Sequence, residues 1–366
     1  MFSRRANWAA TTNRLTLARE ERRARGLEIL DLTESNPTRA SLSYPLEELA
    51  DAMGRAARAP YAPEARGIRS AREALATELR CDADDLVLTA STSEAYSFLF
   101  KLLADPGDVI VTPRPSYPLF EHLAALELIE LRSFALEFHR RWELHDVQVD
   151  ARTRAIVVVN PNNPTGSFVT RDEQDRLASH GLPSISDEVF LDYPLEGRGT
   201  SIVHEDVLTF TLGGFSKSAG LPHFKLAWIR VSGPGKREAI DALELIADNF
   251  LSVATPVQAA LPDLLRIAPR IRNAIRERTR TNLATLRNTF ADAPSTQVLP
   301  VEGGWSAVIR FPRLMTDEEH ALALLDRGVL VQPGYFFDFD GDGYAVLSLL
   351  TPTDHFTRGV RAILAP

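Results

Sequence analysis

Cysteine is nearly absent from this chain of 366 residues, in which Cys81 stands alone. A lone thiol excludes an intrachain disulfide and any cysteine-rich zinc site, and it fits a reducing compartment. No run of about 18 apolar residues occurs, so there is no candidate for a membrane-spanning helix. The opening stretch MFSRRANWAATTNRLTLARE has arginines but no continuous apolar segment, so a secretory leader is not expected. Positive charge is also short: 41 Lys and Arg face 49 Asp and Glu, for a net charge of −8. Such a balance argues against a surface made for phosphate backbones or anionic lipid. The eight histidines lack HExxH spacing, and no metal site is expected. A cytoplasmic protein with neither nucleic acid nor membrane as partner is the resulting expectation.

What is present is core-forming material, at 45% hydrophobic residues, in a chain longer than one domain usually runs. Short apolar runs alternate with longer amphipathic ones, the pattern of an α/β protein with a mainly parallel sheet. Strands are predicted over Asp85 to Thr89, Asp108 to Thr112, Ala155 to Asn160, Ser184 to Ser186, Leu208 to Leu212 and Leu226 to Val231. Ala95, Phe98, Leu99 and Leu102 share one face of a helix between them. Thr170 and Glu173 have capping-box spacing, and Gly181 can end the helix they open. From about Pro262 to Phe290 a long, arginine-rich helical pattern leads into a smaller carboxy-terminal part.

Four short stretches carry chemistry. In LVLTASTSEAYSFLF a strand runs through Ser91, Thr92 and Ser93 straight into a helix, which gathers hydroxyls and free backbone N–H groups at a positive helix end, an anion site or simply a cap. In VVVNPNNPTGSF a buried strand ends in a sharp turn that presents Asn163 at the edge where ligands of open α/β sheets bind. PSISDEVFLDY places Asp187 at the same edge, where a carboxylate can hold a proton on a ring nitrogen. GGFSKSAGLPHFKLAWI sets Lys217 among small residues after another strand. A phosphate cradle, a partner for a ring hydroxyl, a partner for a pyridinium and an amine for a Schiff base are the parts that a pyridoxal 5'-phosphate site needs.

NPNNPTG, SDEVF and FSKSAGLP, in this order and at these spacings, resemble the blocks of the fold-type I, class I/II aminotransferases, and the likeness covers most of the chain from DLTESNPT onward. The resemblance implies a three-layer αβα large domain with a mainly parallel sheet, over 41–275, and a smaller α+β domain from 1–40 and 276–366 with an N-terminal arm and a connecting helix. It implies a ping-pong transfer of an amino group between an amino donor and a 2-oxo acid. Lys217 is implied as the Schiff-base lysine and proton shuttle, Asp187 as partner of the pyridine nitrogen, Asn163 of the ring hydroxyl, and Tyr117 as the ring's stacking partner. Ser91, Thr92, Ser93 and Lys225 correspond to phosphate-binding positions. Tyr61 corresponds to a tyrosine that reaches the phosphate of a second subunit, which implies a homodimer with shared sites. Asn36, Arg39, Trp305 and Tyr335 or Phe336 are the substrate-binding candidates.

The departures are equally specific. Lys225 stands where arginine is usual and offers a point charge without the bidentate fork. Gly214 replaces a common serine, and Phe190 replaces a tyrosine, with Tyr193 the nearest other phenol. In GYAVLSLLTP, alignment on Ser348 puts Val346 where an arginine usually clamps the substrate's α-carboxylate. Either another cation such as Arg39 supplies that clamp, or the substrate has no carboxylate beside the reacting carbon. Elimination or decarboxylation on the same scaffold stays open as well.

Overall fold

Eight strands form the main sheet, in the order Leu86–Thr89, Ala227–Ser232, Thr209–Gly214, Ser184–Asp187, Thr153–Val159, Val109–Arg114, Glu130–Phe138 and Trp142–Leu144. This is a computed structural model, and it describes residues 3, 5, 12–293 and 295–364. The five strands from Thr209–Gly214 to Glu130–Phe138 pair in parallel, so their carboxyl ends share one edge. Ala227–Ser232 runs antiparallel to both of its neighbours, and two reversals bring Leu86–Thr89 back to the common direction. The segment Ser91 to Ser93 therefore emerges at the same edge as Asp187 and the lysine loop.

All six predicted strands are present, within about two residues at each end. Glu130–Phe138 and Trp142–Leu144 were not predicted. Glu130–Phe138 lies near the sheet's edge, mostly exposed or half-buried, and its charged residues break the apolar pattern that marks the central strands. Alternation along the central strands builds two cores. Ile110, Val157, Ile185 and Phe210 face the helices Thr92–Leu103 and Lys236–Asp248. Val109, Val111, Ile156 and Val158 face the other way with Leu177. The result is a three-layer αβα arrangement.

A second, antiparallel sheet runs Gln297–Val298, Ser306–Arg310, Tyr344–Ser348, Gln332–Pro333. The helix Leu261–Thr289 links the two sheets' cores. Its first half, including Leu264, Ile267 and Ile271, packs with Leu86 and Trp228, whereas Leu283 and Leu286 pack with Ile309 and Leu347. The Thr170–Glu173 capping box opens Arg171–Ala178. No helix among the described residues is long and apolar enough to cross a membrane.

Candidate active site

Lys217 sits in the short helix Phe215–Ser218, directly after the strand Thr209–Gly214. Three donors from distant segments fix its backbone. The Tyr193 hydroxyl donates to the Lys217 carbonyl at 2.7 Å, Arg272 Nε to that of Ser218 at 3.0 Å, and the Tyr44 hydroxyl to that of Gly220 at 2.6 Å. Gly220 has φ +64°, and a Cβ there would lie under 3 Å from Ile271 and Ile275, so only glycine fits the turn. Tyr193 is thus committed to the lysine's backbone and does not replace the phenol missing at Phe190.

The amine itself has no hydrogen bond among the described residues. Its Nζ lies 5.2 Å from the ring centroid of Trp305 and 5.7 Å from that of Phe190. Burial lowers its pKa from the usual lysine value, and the nearby Asp187 charge pulls it partly back. Asp187 ends its strand in the same cavity. Its two oxygens accept from the Tyr96 hydroxyl at 3.0 Å and the Val189 N–H at 3.2 Å. Burial nevertheless raises its pKa to about 6, against the pull of those bonds and of Lys217. A cation placed against it would reverse that shift.

Of the asparagines in NPNNPTG, two are spent on structural bonds, mostly to distant segments. Asn160 Nδ2 donates to the Thr200 carbonyl, and Asn162 Nδ2 donates to Pro115 O and Thr165 Oγ1. Asn163 alone lines the cavity. Its Oδ1 accepts from Ser306 Oγ at 3.3 Å, which leaves Nδ2 free. Ser91 is the N-cap of the helix Thr92–Leu103, its Oγ accepting from Glu94 N–H at 3.2 Å. The hydroxyls of Thr92 and Ser93 have no partner among the described residues and face the same cavity.

Lys217, Asp187, Asn163, Tyr117, Trp305 and the three hydroxyl residues enclose a cavity of about 610 Å³. A larger open groove by Phe290 and Arg310, of about 740 Å³, holds none of them. Phe336 lines the cavity, but Tyr335 lines an adjoining chamber. Lys225 follows a turn at Pro222–Phe224 with φ +52°, and its exposed side chain is not part of the lining. Tyr61 is exposed and lies elsewhere on the surface. Asn36 caps the turn that begins at Pro37, accepting from Thr38 N–H, while Arg39 is exposed and pairs with Glu34 at 3.5 Å. Neither reaches the lining, whereas Ser35 does. Gln332, Ser306 and Ser348 also line it. None of the three was a candidate site residue, Ser348 having served only to align its block, and the second sheet brings them to the cavity.

An unpaired amine, a buried carboxylate in want of a cation, a free amide and two free hydroxyls at the start of a 12-residue helix together fit pyridoxal 5'-phosphate. Gly214 lines the cavity where a serine is common, and a Cβ there would stand 3.1 Å from that of Ala227, so a serine needs a small local shift.

Residues 28–353 match the family described as Aminotransferase class I and II, and the chain belongs to it. Nicotianamine aminotransferase 1 of Oryza sativa subsp. japonica is 33% identical over 227 residues, covering 56% of this chain and 46% of that protein. The S-alkyl-thiohydroximate lyase of Arabidopsis thaliana is 35% identical over 231 residues, 57% of this chain and 49% of its own length. The chain spans about half the length of these curated relatives. In structure it is similar to an alanine aminotransferase from Pyrococcus furiosus, with TM-score 0.89 at 23% identity, covering 99% of this chain and 98% of that one. The likeness establishes an aspartate-aminotransferase-like fold.

Proposed function

We propose that the protein is a pyridoxal phosphate-dependent aminotransferase that moves an amino group from an amino donor to a 2-oxo acid in two half-reactions at one site. The observation that carries this reading is the unpaired Lys217 amine in one cavity with Asp187, Asn163 and the hydroxyl-bearing helix end. Bound pyridoxal phosphate supplies a ring that accepts the electron pair released at the substrate's reacting carbon. Thr92 and Ser93 would hold its phosphate, Asn163 Nδ2 its ring oxygen, and Asp187 the proton on its ring nitrogen. Lys217 Nζ, with its proton affinity lowered by burial, takes and returns the proton of the reacting carbon. Trp305 and Phe190 pack beside the amine and keep water from it.

The likeness to a lyase supports a second reading, in which the same site eliminates a group from its substrate. Release of ammonia and a 2-oxo acid, measured against transfer of the amino group, separates the two. A cytoplasmic homodimer with sites shared between subunits is part of the proposal, as is the division into 41–275 and 1–40 with 276–366. The lone Cys81 supports the reducing setting.

The chain has four lysines, at 101, 217, 225 and 236. Borohydride reduction of the loaded protein is expected to fix the cofactor on Lys217 alone, read by peptide mass, and Lys217→Ala is expected to abolish turnover. Label on another lysine, or full turnover in the variant, overturns the assignment.

A further inference from the structure

Among the described residues that line the cavity, only Asp187 and Lys217 carry formal charge. Both are committed to the chemistry proposed above, so the cavity's own lining has no cation left to hold a carboxylate beside the reacting carbon. The wall strand Tyr344–Ser348 shows why. Val346 and Ser348 share one face of it, and Val346 is packed among Trp142, Phe337, Phe339 and Tyr344, with Val308 and Gln332 as its strand partners. A guanidinium fork has no place in that apolar cluster without being buried unpaired. Arg39, the cation nearest in sequence to the cavity-lining Ser35, has a side chain 76% exposed and engaged with Glu34.

The groups that replace a cation are neutral. The Ser348 hydroxyl has its one proton committed, donating to the Glu34 carbonyl at 2.6 Å while its oxygen accepts from Leu350 N–H at 3.2 Å. The side-chain amide of Gln332 has no partner among the described residues and lines the cavity. Trp305, 3% exposed, also lines it and has a buried Nε1–H without a partner. Amide and indole N–H groups recognise a hydroxyl or an amide well, but they supply no net charge to offset the desolvation of a carboxylate.

We infer that this cavity is built for an amine with no carboxylate on the reacting carbon, a primary amine or an amino alcohol whose neutral polar group meets Gln332. The inference rests on the amino-transfer reading and deepens it. The substrate's body lies against Phe336 and Trp305. It can extend past Tyr117 and Phe337 into the adjoining chamber of about 380 Å³, which shares those two residues, Pro118 and Phe336 with the cavity and has Arg114 on its own wall, outside the cavity lining. A 2-oxo acid in the second half-reaction meets the same uncharged wall and is expected to saturate poorly.

Matched pairs test this on the loaded enzyme: tyrosine against tyramine and tyrosinol, with each half-reaction followed by the absorbance of the bound cofactor. The ratio of rate constant to Kd is expected to favour the carboxylate-free member by at least about tenfold, the factor that one missing charged hydrogen bond gives. Calorimetric titration with 3-phenylpropionate and 3-phenylpropanol reads binding without turnover, and the alcohol is expected to bind more tightly. Preference for tyrosine together with tighter binding of the propionate overturns the inference, because a cation then reaches the cavity from the adjoining chamber, where Arg114 stands, or from a partner subunit. If no compound exchanges its amino group, the amino-transfer reading fails, while the calorimetric comparison still decides the charge preference.

Discussion

Asp187 and Glu188 are neighbours in sequence, both buried, with different work. Asp187 faces the cavity, whereas Glu188 ties loop to strand, its Oε1 accepting from Ile202 N–H at 2.6 Å and from Ser186 Oγ at 3.0 Å. Burial raises the Glu188 pKa to about 7 despite these bonds. An acid whose folded pKa exceeds its unfolded one binds more protons when folded, so stability falls as pH rises through that window, here from 4.5 to about 7. The loss is complete above the window and absent below it. Glu188→Gln keeps a carbonyl oxygen for both donors and removes the buried charge. It is expected to raise stability at pH 8 by about 1 to 3 kcal/mol, with little gain at pH 4.5, in thermal melts of the cofactor-free protein. An equal change at both pH values would show that packing, not ionisation, separates the two side chains.

Two helix caps separate structural from functional hydroxyls. Thr170 closes a reciprocal box with Glu173, and it does not line the cavity. Ser91 caps Thr92–Leu103 and does line it. Thr170→Ala and Ser91→Ala are each expected to lower stability by about 1 kcal/mol, but only Ser91→Ala should weaken cofactor binding. Equilibrium dialysis beside urea melts reads both, and equal cofactor affinity in the two variants would remove Ser91 from the cradle. The caps were legible in the sequence because a cap is a local event, and so were the strand ends carrying Asn163, Asp187 and Lys217. Tyr44 and Arg272 were not, since each meets the lysine loop from far away in the chain. Lys225 was placed at the cradle only by its correspondence to a family position; here the residue is exposed, has φ +52° and is not part of the cavity lining. Gln332 was passed over although it stands in VLVQPG, just before the aromatic run that supplied the candidates Tyr335 and Phe336, and the register of Gln332 with Val346 brings it to the wall.

At the scale of the whole molecule, one cavity accounts for most of the family motif, and Tyr61 is a candidate that lies outside it, in a separate surface depression. The residue is 74% exposed and lines that depression together with Leu251, next to Phe98, against which the exposed Phe250 packs at 5.3 Å. Exposed aromatic and apolar groups gathered in this way suit an interface between copies. If Tyr61 serves the partner's site, Tyr61→Ala and Lys217→Ala damage the same site from different chains. Each variant alone forms dimers with two damaged sites. A mixed dimer keeps one site whole, with Lys217 from the Tyr61→Ala chain and Tyr61 from the Lys217→Ala chain, and loses both residues from the other. Random reassortment of equal amounts makes half the dimers mixed, so activity should return to roughly a quarter of the wild-type value per site. Were Tyr61 to act within its own subunit, the mixed dimer would have no intact site, and activity would stay at the average of the two variants. Denaturing and refolding the variants together, then assaying the mixture beside each one refolded alone, distinguishes a shared site from a private one.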